Sequence, residues 1–279
     1  METTDWGEEV ISNSKKSYHF ASIVFYYICD ETELHNMLIT CKNCNQTFKG
    51  HYCNNCGQTA ETHKLDIHFL WHDIQHGLLH FDKGILYSAK KLFTEPGITI
   101  REYIEGKRVH HFKPVSLVII LATIYGFLCH LFDVHLIVSE NNIEKINDYN
   151  EWSTSHFAWI TLLTIPFYTI GTFVFFRKQN YNFIELLIQN TYKASQRLFV
   201  HILLFPVIYY FKETPQINKV RLILYLLDVS LIFWTNIQFF DKLSRPKVIL
   251  NSILSHLLFL FIFTTFMAVI MYFLGILNF

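Results

Sequence analysis

The chain has 279 residues, is 51% hydrophobic and 17% aromatic with 27 Phe, and carries no formal net charge. Its mean hydropathy is +0.24. This composition excludes an ordinary soluble domain and points to a polytopic membrane protein.

Charge is unevenly laid out. Residues 1–40 hold seven acids against two lysines, whereas residues 41–113 hold ten Lys/Arg, seven acids and eight of the fifteen His. Such segments face different surroundings. The acidic start METTDWGEEV is not the basic-then-apolar opening of a secretory signal. The run FASIVFYYIC (20–29) is too short to span a bilayer, which takes about 20 residues. It reads as a short packed element within an N-terminal extension, 1–40.

The segment CKNCNQTFKGHYCNNCGQ (41–58) has the form C-x2-C-x8-C-x2-C. Two CxxC knuckles suit one tetrahedral Zn2+ held by Cys41, Cys44, Cys53 and Cys56. Gly57 after the second knuckle suits a positive φ. Four thiolates fill the coordination sphere, so the zinc is expected to be structural, one per chain. An iron–sulfur cluster is the lesser alternative, and disulfides do not suit a cytoplasmic ribbon. A ribbon this short takes its folding free energy mostly from the metal. It holds two lysines and no basic stripe with interleaved aromatics, which argues against nucleic acid and for a protein-contact role. Cys29 and Cys129 have no nearby partner and read as buried thiols.

Residues 59–114 read as an amphipathic, interfacial helical linker. In HFLWHDIQHGLLH (68–80), histidine recurs at every fourth position: His68, His72, His76 and His80. On a helix, His68 and His80 lie about 18 Å apart, so one metal cannot reach all four. The best local set is His72, Asp73 and His76, a partial site for Zn, Fe or Mn that needs a ligand from elsewhere, His110 and His111 being nearest in sequence. The plainer reading is a polar stripe at the membrane boundary, anchored by Phe69 and Trp71. Pro96-Gly97 is expected to end the first helical element. ITIREYIEGKR then starts a short helix with Thr99 in the N-cap position and Gly106 as its stop. Arg101, Lys107, Arg108 and Lys113 cluster before the first span. They fix topology and snorkel to the surface, or gather an anionic headgroup whose phosphate Arg101 and Arg108 can fork.

Residues 115–279 read as a bundle of about five transmembrane helices, near 115–138, 157–176, 196–211, 220–240 and 248–275, with the third helix starting earlier, near Phe183. The last is long enough to tilt. Lys/Arg before the first span place the N-terminus and ribbon in the cytoplasm and the C-terminus outside. Arg177, Lys178, Lys193, Arg197, Lys242, Arg245 and Lys247 are assigned to inner loops, while Lys212, Lys219 and Arg221 break the pattern. Asp228, near the middle of the fourth span, is expected to face the interior and find a partner in His201, His130 or His256. The pair serves either a proton or ion pathway or an interhelical hydrogen bond. Pro166 and Pro206 are expected to kink their helices. No tandem repeat stands out.

The ribbon end Cys56-Gly57-Gln58, the Asp82-Lys83-Gly84 triplet and PG…IREYIEGKR…P (Pro96, Gly97, Ile100 to Arg108, Pro114) resemble an uncharacterised family of bacterial inner-membrane proteins, common in Bacteroidetes and defined as a domain of unknown function. The resemblance covers roughly residues 41 to 275. It implies a cytoplasmic ribbon and a membrane bundle in the inner membrane, and no activity.

The fold class is thus mainly α: a polytopic bundle with a small zinc ribbon and amphipathic linker helices. The features favour a non-enzymatic scaffold or a channel- or transport-like subunit, in contact with anionic phospholipid and working in a homo-oligomer or with a protein partner. The alternative is a membrane-bound metalloenzyme acting on a lipid or other membrane substrate through His72, Asp73 and His76. No nucleophilic triad, phosphate-cradling loop or dinucleotide fingerprint suggests another enzyme class.

Overall fold

The computed structural model describes residues 38–60, 62, 65–67, 84–135 and 151–273. The chain divides into two compact units, Met1–Thr62 and His63–Phe279.

The described residues of the first unit form a small ribbon. Strand β1 (Ile39–Thr40) pairs antiparallel with β2 (Thr47–Phe48), in the register Ile39 to Phe48 and Thr40 to Thr47. A single bridge joins Tyr52 to Thr59. Its buried apolar residues are Cys41, Phe48 and Cys53. Among the described residues of this unit, one phenylalanine and a few sulfurs do not by themselves offset the ordering of some twenty residues, at about 1–2 kcal/mol each.

The second unit is helical. Helix α1 (Gly84–Thr94) leads to α2 (Pro96–Glu105), which has proline in its first turn and is stopped by Gly106 at φ 108°. The chain does break at Glu95-Pro96, but α2 starts at Pro96 and not after Thr99. Proline at the first helical position forfeits no hydrogen bond. Thr99 lies inside the helix and its hydroxyl donates to Glu95 O at 2.7 Å. Helix α3 (Pro114–Leu131) follows, then α4 (Phe157–Phe176) and a 3-10 turn at Arg177–Gln179.

Helix α5 (Phe183–Leu203) opens on a capping box. The Asn182 side chain accepts the Glu185 N–H and the Glu185 carboxylate accepts the Asn182 N–H, each at 2.8 Å. Helix α6 (Phe205–Phe211) departs from α5 at 54°. Pro206 explains the bend, since it has no N–H to give the Ile202 carbonyl. Pro166, by contrast, is accommodated within a continuous α4. Helices α7 (Ile217–Phe239) and α8 (Arg245–Phe273) complete the unit.

Among the described residues, four helices are long and apolar enough to cross a membrane, or five if α5 and α6 form one bent span. Helix α3 ends at Leu131, short of the expected boundary. The third span extends back to Phe183, so Lys193 and Arg197 lie in the helix and not in a loop. Lys212 and Arg221, which break the charge pattern, have a local task at the end of α3. Lys212 Nζ donates to Phe132 O at 2.9 Å and Arg221 donates to His135 O.

Beside an apolar core, the bundle buries polar side chains and exposes large apolar ones. Gln189, Asn190, Lys193, Ser195, Gln196, Asn236, Ser252 and Ser255 are buried. Leu222, Ile223, Leu226, Leu257, Phe261 and Phe273 are exposed. Water would not tolerate so large an apolar exterior, whereas lipid does. Helix α5 is the polar axis and packs against α1, α2, α3, α4 and α7. Two glycines permit the closest approaches. A Cβ on Gly171 would stand 2.6 Å from Ser255 O, closing α4 on α8, and one on Gly97 would stand 2.3 Å from Phe239 N, closing α2 on α7.

Gly97 also donates its N–H to Gln238 Oε1 at 3.1 Å. Gly97→Ala must push α2 off the end of α7. We expect a loss of about 1–3 kcal/mol, read as a lower thermal midpoint of the purified protein in detergent. An unchanged midpoint would show that α2 is not seated there.

Candidate functional site

In the ribbon, the Sγ atoms of Cys41, Cys44, Cys53 and Cys56 lie within 4.8 Å of one another. Cys41 and Cys56 are 3.5 Å apart, and Cys44 and Cys53 are 3.6 Å apart. Four sulfurs at about 2.3 Å from a tetrahedral ion stand roughly 3.8 Å apart, so the cluster fits one metal ion.

The two knuckles repeat each other with an offset of twelve residues, which the sequence reading missed: Cys41, Asn43, Cys44 and Gln46 recur as Cys53, Asn55, Cys56 and Gln58. Asn45 (φ 59°) and Gly57 (φ 74°) return their N–H groups to Cys41 O and Cys53 O at 2.9 and 2.8 Å. Cys41 and Cys53 donate in turn to Gln46 O and Gln58 O at 2.9 and 2.8 Å. The asparagines are exchanged between knuckles, Asn43 bonding Cys56 and Asn55 bonding Cys44. The Gln46 backbone N–H and then Asn55 bring the Cys44 thiol down to about 6, and Asn43 brings Cys56 down. Burial pushes Cys41 up to about 11. Thiolate is the form a metal takes.

The second candidate lies in the bundle. Asn236 Oδ1 accepts from Gln189 Nε2 at 3.1 Å and from Lys193 Nζ at 3.2 Å, and Asn236 Nδ2 donates to Ser252 Oγ at 2.9 Å. Two donors on one side and an acceptor on the other fix the amide's orientation. This one side chain therefore joins α5, α7 and α8. Lys193 Nζ also stands 5.0 Å over the Tyr168 ring. Around it, Thr235 donates to Gln196 Oε1 at 3.0 Å, Gln196 to Leu92 O at 2.8 Å, and Asn190 to Thr169 and Thr172 at 3.1 and 3.3 Å.

Gln189, Asn190, Gln196, Thr235 and Ser252 went unread in the sequence, Asn236 was noted only as polarity at the cytoplasmic end of its span, and Lys193 was assigned to an inner loop. Their signal is the four-residue spacing of Gln189, Lys193, Arg197 and His201, one face of α5. His201 Nε2 ends that row, 3.1 Å from Asp228. Of the three histidines offered to Asp228, His201 is the one it meets. His130 is exposed. His256 places its two ring nitrogens 3.3 and 2.8 Å from the Tyr168 and Tyr225 hydroxyls.

The basic cluster before α3 makes contacts within the protein. Arg101 pairs with Asp241 and donates to Phe239 O at 3.3 Å, at the carbonyl end of α7. Lys107 pairs with Glu102 at 3.0 Å, and Arg108 donates to Tyr103 O at 3.2 Å and stacks over its ring. Lys113 leads directly into α3. His111 packs on Tyr87 and Tyr103, and burial lowers it to about 4. Cys129 is buried. His72, Asp73 and His76, with the rest of the histidine stripe, lie outside the described residues, as does the 1–37 segment.

Residues 82–126 match a family of proteins of unknown function, DUF3667. That stretch holds α1, α2 and most of α3, with the PG and IREYIEGKR motifs inside it and the cysteines outside. No curated protein matches the chain, and no solved structure does.

Two outcomes follow from this geometry. Asn236→Ala strands the Gln189 and Lys193 donors, at about 1–3 kcal/mol for each buried donor and more for a charge, so the stability of the purified protein should fall by roughly 3 kcal/mol. In a Lys193→Met background the same change should cost less than half as much, and equal costs would dissolve the link. His111 is neutral in the fold and titrates near its ordinary 6.5 when unfolded, so protonation favours unfolding. Its contribution is present above pH 6.5 and is lost toward pH 4, on the order of 3 kcal/mol across the window. Between pH 7.5 and 4.5 the thermal midpoint of the wild type should drop further than that of His111→Phe; parallel curves would refute it.

Proposed function

We propose that this chain is a multi-pass protein of the bacterial inner membrane, a non-enzymatic scaffold or a channel- or transport-like subunit working in an oligomer or with a protein partner. Its ribbon, on the cytoplasmic side, holds one structural Zn2+. The observation that carries the reading is the meeting of four thiols within 4.8 Å. A tetrahedral ion held by four sulfurs keeps no position for substrate, which is the arrangement of structural and not catalytic zinc.

The sidedness rests on charge. Arg101, Lys107, Arg108 and Lys113 stand at the α2–α3 end of the bundle, the end that also receives Arg177 and Lys178 and the α7–α8 turn. Positive residues favour the cytoplasmic face. There the four residues, beside the contacts that Arg101, Lys107 and Arg108 make within the protein, attract anionic phospholipid headgroups, a free basic residue near a charged surface being worth about 1 kcal/mol. Asp228 and His201 supply an interhelical polar contact beside any pathway through the bundle. The resemblance to inner-membrane proteins of Bacteroidetes supports the compartment.

Metal analysis of the full-length protein tests this reading. One zinc per chain is expected, lost in Cys41→Ser, while the far-ultraviolet helical signal of the bundle persists after chelation. A second metal that survives Cys41→Ser and vanishes in the His72→Ala/His76→Ala double variant would favour the membrane metalloenzyme instead.

A further inference from the structure

Between α4, α5, α7 and α8 lies a cavity of about 120 Å³ whose lining includes Thr164, Tyr168, Asn190, Lys193, Arg197 and Phe259. Among the described residues, the lining holds two cations and no carboxylate. Lys193 and Arg197 are four residues apart on α5, so two like charges share one face. Arginine does not lose its proton in a protein. Its Nε is buried and has no hydrogen-bond partner among the described residues. Lys193 can give three hydrogen bonds, and the acceptors it meets are the Asn236 amide oxygen and the Tyr168 ring face. The nearest acid along α7, Asp228, is engaged by His201.

The balance of magnitudes asks for a guest. Removing an ion from water costs several kcal/mol even after relaxation, against about 1.5–3 kcal/mol for one hydrogen bond to a charged group. Asn236 and the Tyr168 ring do not fully offset Lys193, and no described residue gives the buried Arg197 Nε an acceptor. A negative acceptor in the cavity would satisfy both. The Asn190 Oδ1, buried and without a donor among the described residues, can accept a hydrogen bond from water. At ~10–15 Å³ for each water, the cavity takes a small ion and several waters. We propose that this cavity binds one small monovalent anion of chloride size, held by Lys193 Nζ and the Arg197 guanidinium and hydrated toward Asn190.

Chloride is the probe. Full-length protein, purified free of halide, is titrated with sodium chloride and the width of the 35Cl resonance is followed. Wild type should broaden the line saturably beyond its detergent blank. Lys193→Met and Arg197→Gln should each weaken the binding about tenfold, while Lys242→Gln, on an exposed lysine, should leave it unchanged. Arg197 is only partly buried, so its variant keeps the test open if Lys193→Met does not fold. No excess broadening in the wild type, or an Arg197 variant whose chloride midpoint equals that of the wild type, would overturn the site. Zinc content is read separately, so failure here leaves the ribbon untouched.

Discussion

The bundle turns on one amide. Asn236 accepts two donors from α5 and gives one hydrogen bond to α8. A helix carrying Gln189, Asn190, Lys193, Gln196 and Arg197 cannot face lipid, where each polar group without a partner costs several kcal/mol. It must be wrapped by apolar helices and given partners inside. The order of the unit follows from that: α5 at the centre, α3, α4 and α7 against it, and α8 largely exposed on the outside. The close approach of Gly171 to Ser255 seats α8 near enough for Ser252 to reach Asn236.

The same helix anchors the elements ahead of the membrane. Gln196 bonds the last turn of α1 through Leu92 O, and Tyr192 bonds Phe112 O, whose N–H is held by Ser88 at 2.7 Å. Gly97 and Arg101 fasten α2 to the end of α7. The stretch that matches the family of unknown function is therefore a collar gripping the polar axis. The ribbon is a separate physical problem. Its fold follows from two copies of one knuckle converging their thiols, with little apolar surface beyond Phe48.

Much of this was open to reading. The apolar runs disclosed the spans because lipid admits only helices with internally satisfied backbone. The C-x2-C spacing disclosed the cluster of four cysteines, and Pro206 disclosed the bend at α6. What escaped was the role of helix α5: its start near Phe183 was expected, but not that its polar face is buried at the centre of the bundle. A charge on a short apolar run looks like a loop, and Lys193 and Arg197 were assigned to one. The four-residue rhythm that drew notice in the histidines of 68–80 was present again from Gln189 to His201. There it marks a buried face. Thr99 was misplaced for a local reason: a serine or threonine before a helical run resembles a cap, but the proline three residues earlier already opens the helix.

The central claim is that α5 is enclosed, with Lys193 sealed within the bundle. Acetylation of the native protein by an amine-reactive reagent, read lysine by lysine in a mass spectrometer, tests it most directly. Exposed Lys242 and Lys247 should react at once, and Lys193 only after denaturation in sodium dodecyl sulfate. A native Lys193 that reacts as fast as Lys242 would contradict the account.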